Sequence, residues 1–139
     1  MLPTNQPIYL VGESLGTGVA SFLAGKFPER INGIILLSPY DRLTNIAQSR
    51  YPWLPARWLL LDQFPSENFL KSYHGSVGVM LDGRDRIVPE IYGQRLYDGY
   101  AGAKKLWRYP DSGHIQIGEA PENFWRAVVK FWKGDKKLN

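Results

Sequence analysis

Val11-Gly12-Glu13-Ser14-Leu15-Gly16 is the stretch on which the reading of this chain turns, because it separates two segments of opposite character. Before it, Pro7-Ile8-Tyr9-Leu10-Val11 is an apolar run of β-branched and aromatic residues. The run does not alternate, so it reads as a strand buried on both faces. After it, Val19, Phe22, Leu23 and Phe27 recur at three- and four-residue spacings, which predicts a helix over 17–27 with these side chains on one face. Pro28 closes that helix by disfavouring the α conformation in the residue before it. A Gly-x-Ser-x-Gly turn that leaves a buried strand and opens a helix lifts a serine hydroxyl clear of the backbone. Side chains at positions 12 and 16 would crowd such a turn. The plainer alternative is a glycine-rich turn in which Ser14 is only the helix N-cap.

Working outward, Ile31 to Leu37 contains Ile34-Ile35-Leu36-Leu37, a second buried strand ended by Ser38-Pro39. The stretch from Tyr40 to Tyr73 is irregular. Short helices are expected over 43–50 and 56–61, punctuated by Pro52, Pro55 and Pro65. Val77-Gly78-Val79-Met80-Leu81 makes a third strand, followed by the turn Asp82-Gly83-Arg84-Asp85. A helix is expected over 89–100, with Ile91, Leu96 and Tyr100 as its apolar positions. Lys105-Leu106-Trp107-Arg108-Tyr109 is a fourth strand, broken by Pro110. A last amphipathic helix over 120–132 turns Phe124, Val128, Phe131 and Trp132 inward. Strands that alternate with helices in this way predict an α/β fold with a four-stranded, mostly parallel sheet and right-handed crossovers.

The chain has 139 residues, which suits a single domain spanning 1–139. Its hydrophobic fraction of 44% supplies a core and argues against disorder. No run approaches the roughly 20 apolar residues that cross a bilayer, and the first residues lack a basic-then-apolar leader pattern. A soluble, cytoplasmic protein with no membrane partner is expected. With no cysteine, disulfides, thiolate metal sites and cysteine nucleophiles are excluded. The net charge of +4 sits largely around Lys130, Lys133, Lys136 and Lys137, a solvated tail rather than a nucleic-acid surface. The acidic residues form no ligand cluster, so no metal or organic cofactor is expected.

In an open parallel sheet, polar sites collect beyond the carboxyl ends of the strands. Three such ends carry chemistry here: the first leads into Ser14, the third into Asp82 and Asp85, and the fourth into His114 in Asp111-Ser112-Gly113-His114. Serine is a poor nucleophile unless a base takes its proton, and His114 is the candidate base. An acid fixes the tautomer of such an imidazole, with Asp85 the candidate and Asp82 its rival. The order Ser, Asp, His is the one that this architecture uses. The N–H of Leu15, at the amino end of a helix, would face developing negative charge. His74 precedes the third strand, at the wrong end of the sheet, and is expected to be structural or exposed.

Gly12-Glu13-Ser14-Leu15-Gly16, Gly83-Arg84-Asp85-Arg86-Ile87-Val88-Pro89 and Gly113-His114 together resemble the signatures of the α/β-hydrolase superfamily. Ser38-Pro39-Tyr40-Asp41 and Arg50-Tyr51-Pro52-Trp53-Leu54-Pro55 resemble its Bem46-like branch of serine hydrolases, whose members include acyl and thioester hydrolases. The resemblance runs from about Pro7 to Trp132 and corresponds to the C-terminal half of the family fold. It implies a Ser14–Asp85–His114 triad, the Gly-x-Asp-x-x-Val-Pro spacing selecting Asp85 over Asp82. It also implies a cap-like segment over about 41–73, where Tyr51, Trp53, Trp58 and Phe64 either rim an acyl pocket or pack in the core.

In the family fold the nucleophile strand lies mid-sheet, and a loop after an earlier strand supplies a second oxyanion donor. The resemblance therefore implies that Ile8 to Val11 present an edge open to a second copy or a partner chain, and that Leu15 is the donor from this chain. Two functions are expected to compete. One is a serine hydrolase acting on small-molecule carboxylic esters or thioesters through an acyl-enzyme. The other is a non-catalytic remnant or assembly module that dimerises through its first strand.

Overall fold

The computed structural model describes residues 6–41 and 65–134. The helices expected over 43–50 and 56–61, and Tyr51, Trp53, Trp58 and Phe64, lie outside the described residues. Four strands form one sheet: β1 (Ile8–Glu13), β2 (Ile31–Leu37), β3 (Ser76–Asp82) and β4 (Lys104–Tyr109). Their spatial order is their chain order and all three pairings are parallel. Helix α1 (Leu15–Lys26) joins β1 to β2. The short α2 (Ser66–Phe69), followed by a 3-10 turn over Leu70–Ser72, leads into β3. Helix α3 (Glu90–Gly99) joins β3 to β4, and α4 (Glu122–Trp132) closes the described chain. The backbone N–H of Ser66 donates to the carbonyl of Asp41 (3.0 Å), so the chain leaves and returns at one place on either side of 42–64.

Strand periodicity builds a core on each side of the sheet. Ile34 and Leu36 of β2 and Val77, Val79 and Leu81 of β3 face one side, where they meet Ala20 and Ala24 of α1 and Leu96 of α3. Ile35, Leu37 and Met80 face the other, against Phe124 and Val128 of α4. The reading of continuous apolar runs as strands buried on both faces holds for β2 and β3, which are central. It fails for β1. Among the described residues this strand lies at the edge of the sheet, as the resemblance implied, and Tyr9 (37%) and Val11 (39%) keep substantial exposure.

Helix α1 corrects a second expectation. Val19, Phe22 and Phe27 lie on its exposed side, and the buried side is Thr17, Gly18, Ala20, Ser21 and Ala24. The cause is the closeness of the crossing. A Cβ on Gly12 would lie 2.7 Å from the carbonyl oxygen of Gly16, 2.9 Å from Thr17 Cα and 3.0 Å from Ala20 Cβ. Only a small-residue face fits at that separation. In α3, Leu96 is buried and Tyr100, just beyond its end, is too, but Ile91 is exposed. In α4, Phe124 and Val128 are buried as expected, with Trp132 packed at the margin and stacked on Tyr9 (4.4 Å between centroids).

Candidate active site

The register of the sheet aligns the strand ends. Glu13 pairs with Leu37, Leu37 with Met80, and Asp82 with Tyr109. Hydrogen bonding then continues past the strands: Ser14 N–H donates to Leu37 C=O (2.9 Å), Ser38 N–H to Met80 C=O (3.0 Å) and Gly83 N–H to Tyr109 C=O (2.9 Å). Ser14, Ser38, the 82–85 turn and the loop holding His114 therefore share one rim.

Ser14 sits at φ 48°, ψ −118°, a conformation that costs a non-glycine residue about 1–3 kcal/mol. It occupies the N-cap position of α1, yet its side chain makes no capping hydrogen bond, so the N-cap reading does not account for it. Its carbonyl is held instead by the N–H (3.0 Å) and hydroxyl of Thr17. Leu15 is the first residue of α1, so its N–H has no acceptor within the helix. Its carbonyl accepts the hydroxyl of the buried Tyr40 (3.3 Å). Of the two glycines flanking the serine, only Gly12 is crowded. A Cβ on Gly16 meets no atom within 4 Å among the described residues, so crowding there does not account for that glycine.

Asp85 and His114 are in contact. The imidazole Nδ1 lies 2.6 Å from Asp85 Oδ2, with the carboxylate side chain 1% and the ring 16% exposed. Asp85 Oδ1 accepts the N–H groups of Ile87 (2.7 Å) and Val88 (2.9 Å), which fixes the carboxylate plane. A carboxylate only accepts, so Nδ1 carries the proton and Nε2 is left to take one. Among the described residues no hydrogen bond joins Ser14 Oγ to the pair. The serine turn is tied to the histidine loop one residue earlier, where Glu13 Oε2 accepts Ile117 N–H (3.0 Å).

Asp82 does not bond the imidazole. Its Oδ2 accepts the hydroxyl of Ser38 (2.9 Å) and the N–H of Ile115 (3.0 Å). Burial raises its pKa above the ordinary carboxylate value, and the nearby charge of Asp85 adds to the rise; the two hydrogen bonds and His114 oppose it. Tyr109, paired with Asp82 across the strands, is also raised, by burial first and then by Asp82. His74 is exposed and lines a cavity of about 560 Å³ between α2 and the end of α3. That cavity opens at the amino end of β3, away from Asp85 and His114. Among the described residues no group of three or more His, Cys, Asp or Glu could hold a metal ion, and no helix is long and apolar enough to cross a membrane.

Ser38, Tyr40 and Glu13 stand in the motifs quoted from the sequence, but the contacts of their side chains were not anticipated. Ser38 had a signal available in its position directly after a buried strand at the same rim; in the structure it is a non-glycine residue at positive φ (47°). Nothing in the spacing marks the other two.

Comparison with known proteins bears on the fold. The family model for the α/β hydrolase fold matches residues 4–70. Uncharacterized protein Rv2307c of Mycobacterium tuberculosis is 41% identical over 103 residues, covering 74% of this chain and 36% of that protein. Lysophosphatidylserine lipase ABHD12 of Danio rerio is 32% identical over 117 residues, covering 73% of this chain and 31% of its own length. The chain thus spans about a third of the curated relatives it matches. Among solved structures, acetyl xylan esterase 1 from Thermoanaerobacterium sp. superposes with a TM-score of 0.67 at 19% identity, over 89% of this chain and 44% of that one. The Pyrococcus furiosus esterase Pf2001 superposes with a TM-score of 0.63 at 21% identity, over 91% and 53%. At these identities the likeness is one of fold.

Proposed function

We propose that this chain, which belongs to the α/β-hydrolase superfamily, carries the catalytic residues of a serine hydrolase of the Bem46-like branch, acting on small-molecule carboxylic esters or thioesters. The observation that carries the reading is the 2.6 Å Asp85–His114 contact on the same rim as the strained Ser14 turn. The names of the relatives, a lysophosphatidylserine lipase and acetyl xylan and other esterases, support ester chemistry.

In this reading Ser14 Oγ attacks the acyl carbon while its proton passes to His114 Nε2. The tetrahedral oxyanion accepts the N–H of Leu15. Collapse breaks the bond to the leaving oxygen or sulfur, and His114 returns the proton to the departing alcohol or thiol. Water then adds to the acyl-Ser14 ester, with His114 again as base, and releases the acid. Asp85 holds the ring tautomer and stabilises the imidazolium throughout. An oxyanion that met one donor instead of two would cost about 10²–10³ in rate.

The test is hydrolysis of p-nitrophenyl butyrate and of an acyl thioester. Turnover is expected with the native residues and should disappear in Ser14→Ala and His114→Ala. Equal rates in all three would sink the reading.

A second reading is favoured by β1, an edge strand with Tyr9 and Val11 exposed. There the chain is an assembly module that pairs through this edge with a second copy or another polypeptide. A concentration-dependent dimer with slow amide exchange at Tyr9–Val11 would support it; a monomer with fast exchange there rules it out.

A further inference from the structure

The geometry points to Asp82 as a positioning residue for His114, its Oδ2 tying the backbone just after the imidazole to the turn that leaves β2. This inference rests on the proposed role of His114 and adds a residue that the triad does not contain.

Asp82 ends β3, and the N–H of Asp85 donates back to its carbonyl (3.1 Å), so the two carboxyl groups stand on a single turn. They treat the histidine loop differently. Asp85 holds the ring at Nδ1. Asp82 Oδ2 holds the next amide, Ile115 N–H, at 3.0 Å and accepts the Ser38 hydroxyl at 2.9 Å. Ser38 is itself pinned to β3 by its N–H on Met80 C=O (3.0 Å). A loop held only at the ring could pivot about that bond. Held also at the following amide, it has its ring direction set relative to β2 and β3, and a misplacement of about 1 Å at a catalytic group costs on the order of 10²-fold.

The role needs one acceptor and no charge. Both donors converge on Oδ2, while Oδ1 is buried with no hydrogen-bond partner among the described residues. Asp82 is 1% exposed, and the titratable groups around it are Asp85, His114 and Tyr109. A carboxylic acid or a primary amide keeps a carbonyl-type oxygen that can accept both donors, although the O–H or NH2 it puts at the buried Oδ1 position meets no acceptor among the described residues. Burial favours the uncharged form in the same direction.

The experiment compares Asp82→Asn, Asp82→Ala and Asp82→Leu by rate of labelling with a fluorophosphonate across pH, and by amide exchange at Ile115. Asn should label within about threefold of the native rate, keep the native pH profile and keep Ile115 protected. Ala and Leu should label about 10–100-fold more slowly, with Ile115 exchanging faster. Leu keeps the side-chain volume should Ala fail to fold, and the result for Asn stands without either. An Asn variant as slow as Ala, or with a displaced acid limb, would mean that Asp82 acts through its charge and overturns the inference. Unchanged labelling and Ile115 exchange in Leu overturn it as well. Because Ile115 exchange is read without catalysis, failure of the hydrolase reading shows separately, as absence of labelling in every variant with the Ile115 pattern intact.

Discussion

Replacing Gly12 by alanine is the sharpest single perturbation of the turn that presents Ser14. Gly12 is not at positive φ, so the substitution carries no backbone strain of its own. What it meets is space. The new methyl would lie 2.7 Å from Gly16 O, 2.9 Å from Thr17 Cα and 3.0 Å from Ala20 Cβ. Two of these atoms are backbone and the third is a side-chain stub, so none can rotate away. Overpacking of this kind costs roughly 1–3 kcal/mol, offset by about 0.4–1 kcal/mol from a stiffer unfolded chain. Backbone atoms closer than 3.0 Å put the clash in the upper part of its range, so the net loss is about 1–2.6 kcal/mol, or about 3–10 °C in the melting midpoint for a chain of this size. Relief requires α1 to move off β1, which carries Leu15 N–H and Ser14 away from the rim, so fluorophosphonate labelling should slow by about tenfold or more. Gly16→Ala is the control. Its methyl meets nothing within 4 Å among the described residues, and alanine gains about 1 kcal/mol of helix propensity. Its midpoint should rise or hold. Circular dichroism melts read both variants. A Gly12→Ala midpoint within a degree of native, or a Gly16→Ala loss as large as that of Gly12→Ala, would refute the reasoning.

Two further variants probe the frame and its electrostatics. Phe124→Ala removes a fully buried ring that packs edge-on against Trp107 (5.3 Å) and Trp125 (4.9 Å), so urea unfolding should show a loss of about 3–5 kcal/mol. Asp82→Asn should gain stability relative to the native protein as pH rises, on top of a pH-independent cost for an NH2 that meets no acceptor at the buried Oδ1 position. The folded-state pKa of Asp82 lies above its unfolded value, so the folded state binds the proton more tightly and native stability falls as pH rises through that window. Asn lacks this loss, and melts from pH 4 to 8 should show the two curves diverging upward; a constant offset would contradict the sign.

The fold was largely legible because β2 and β3 are continuous apolar runs, and each is ended by a residue that stops a strand cleanly. The burial of α1 was not. Hydropathy picks out Val19 and Phe22, whereas the spacing to β1 is set by residues with almost no side chain, Gly12, Gly18 and Ala20. For β1 the apolar run misled and the resemblance did not: Tyr9 and Val11 have the composition of a central strand, yet the strand lies at the sheet edge that the resemblance implied. At the site, the order of Ser14, Asp85 and His114 along the chain singled out residues that the fold brings to one rim. The parts of Ser38, Tyr40 and Asp82 depend on which backbone groups converge on them, and no spacing encodes that.

The most direct test of the central claim is to treat the protein with a fluorophosphonate, digest it and map the adduct by mass spectrometry. The account predicts a single adduct on the peptide containing Ser14, abolished in Ser14→Ala and reduced by several orders of magnitude in His114→Ala and Asp85→Asn. An adduct on another serine, or a Ser14 adduct that forms at the native rate without His114, would contradict it.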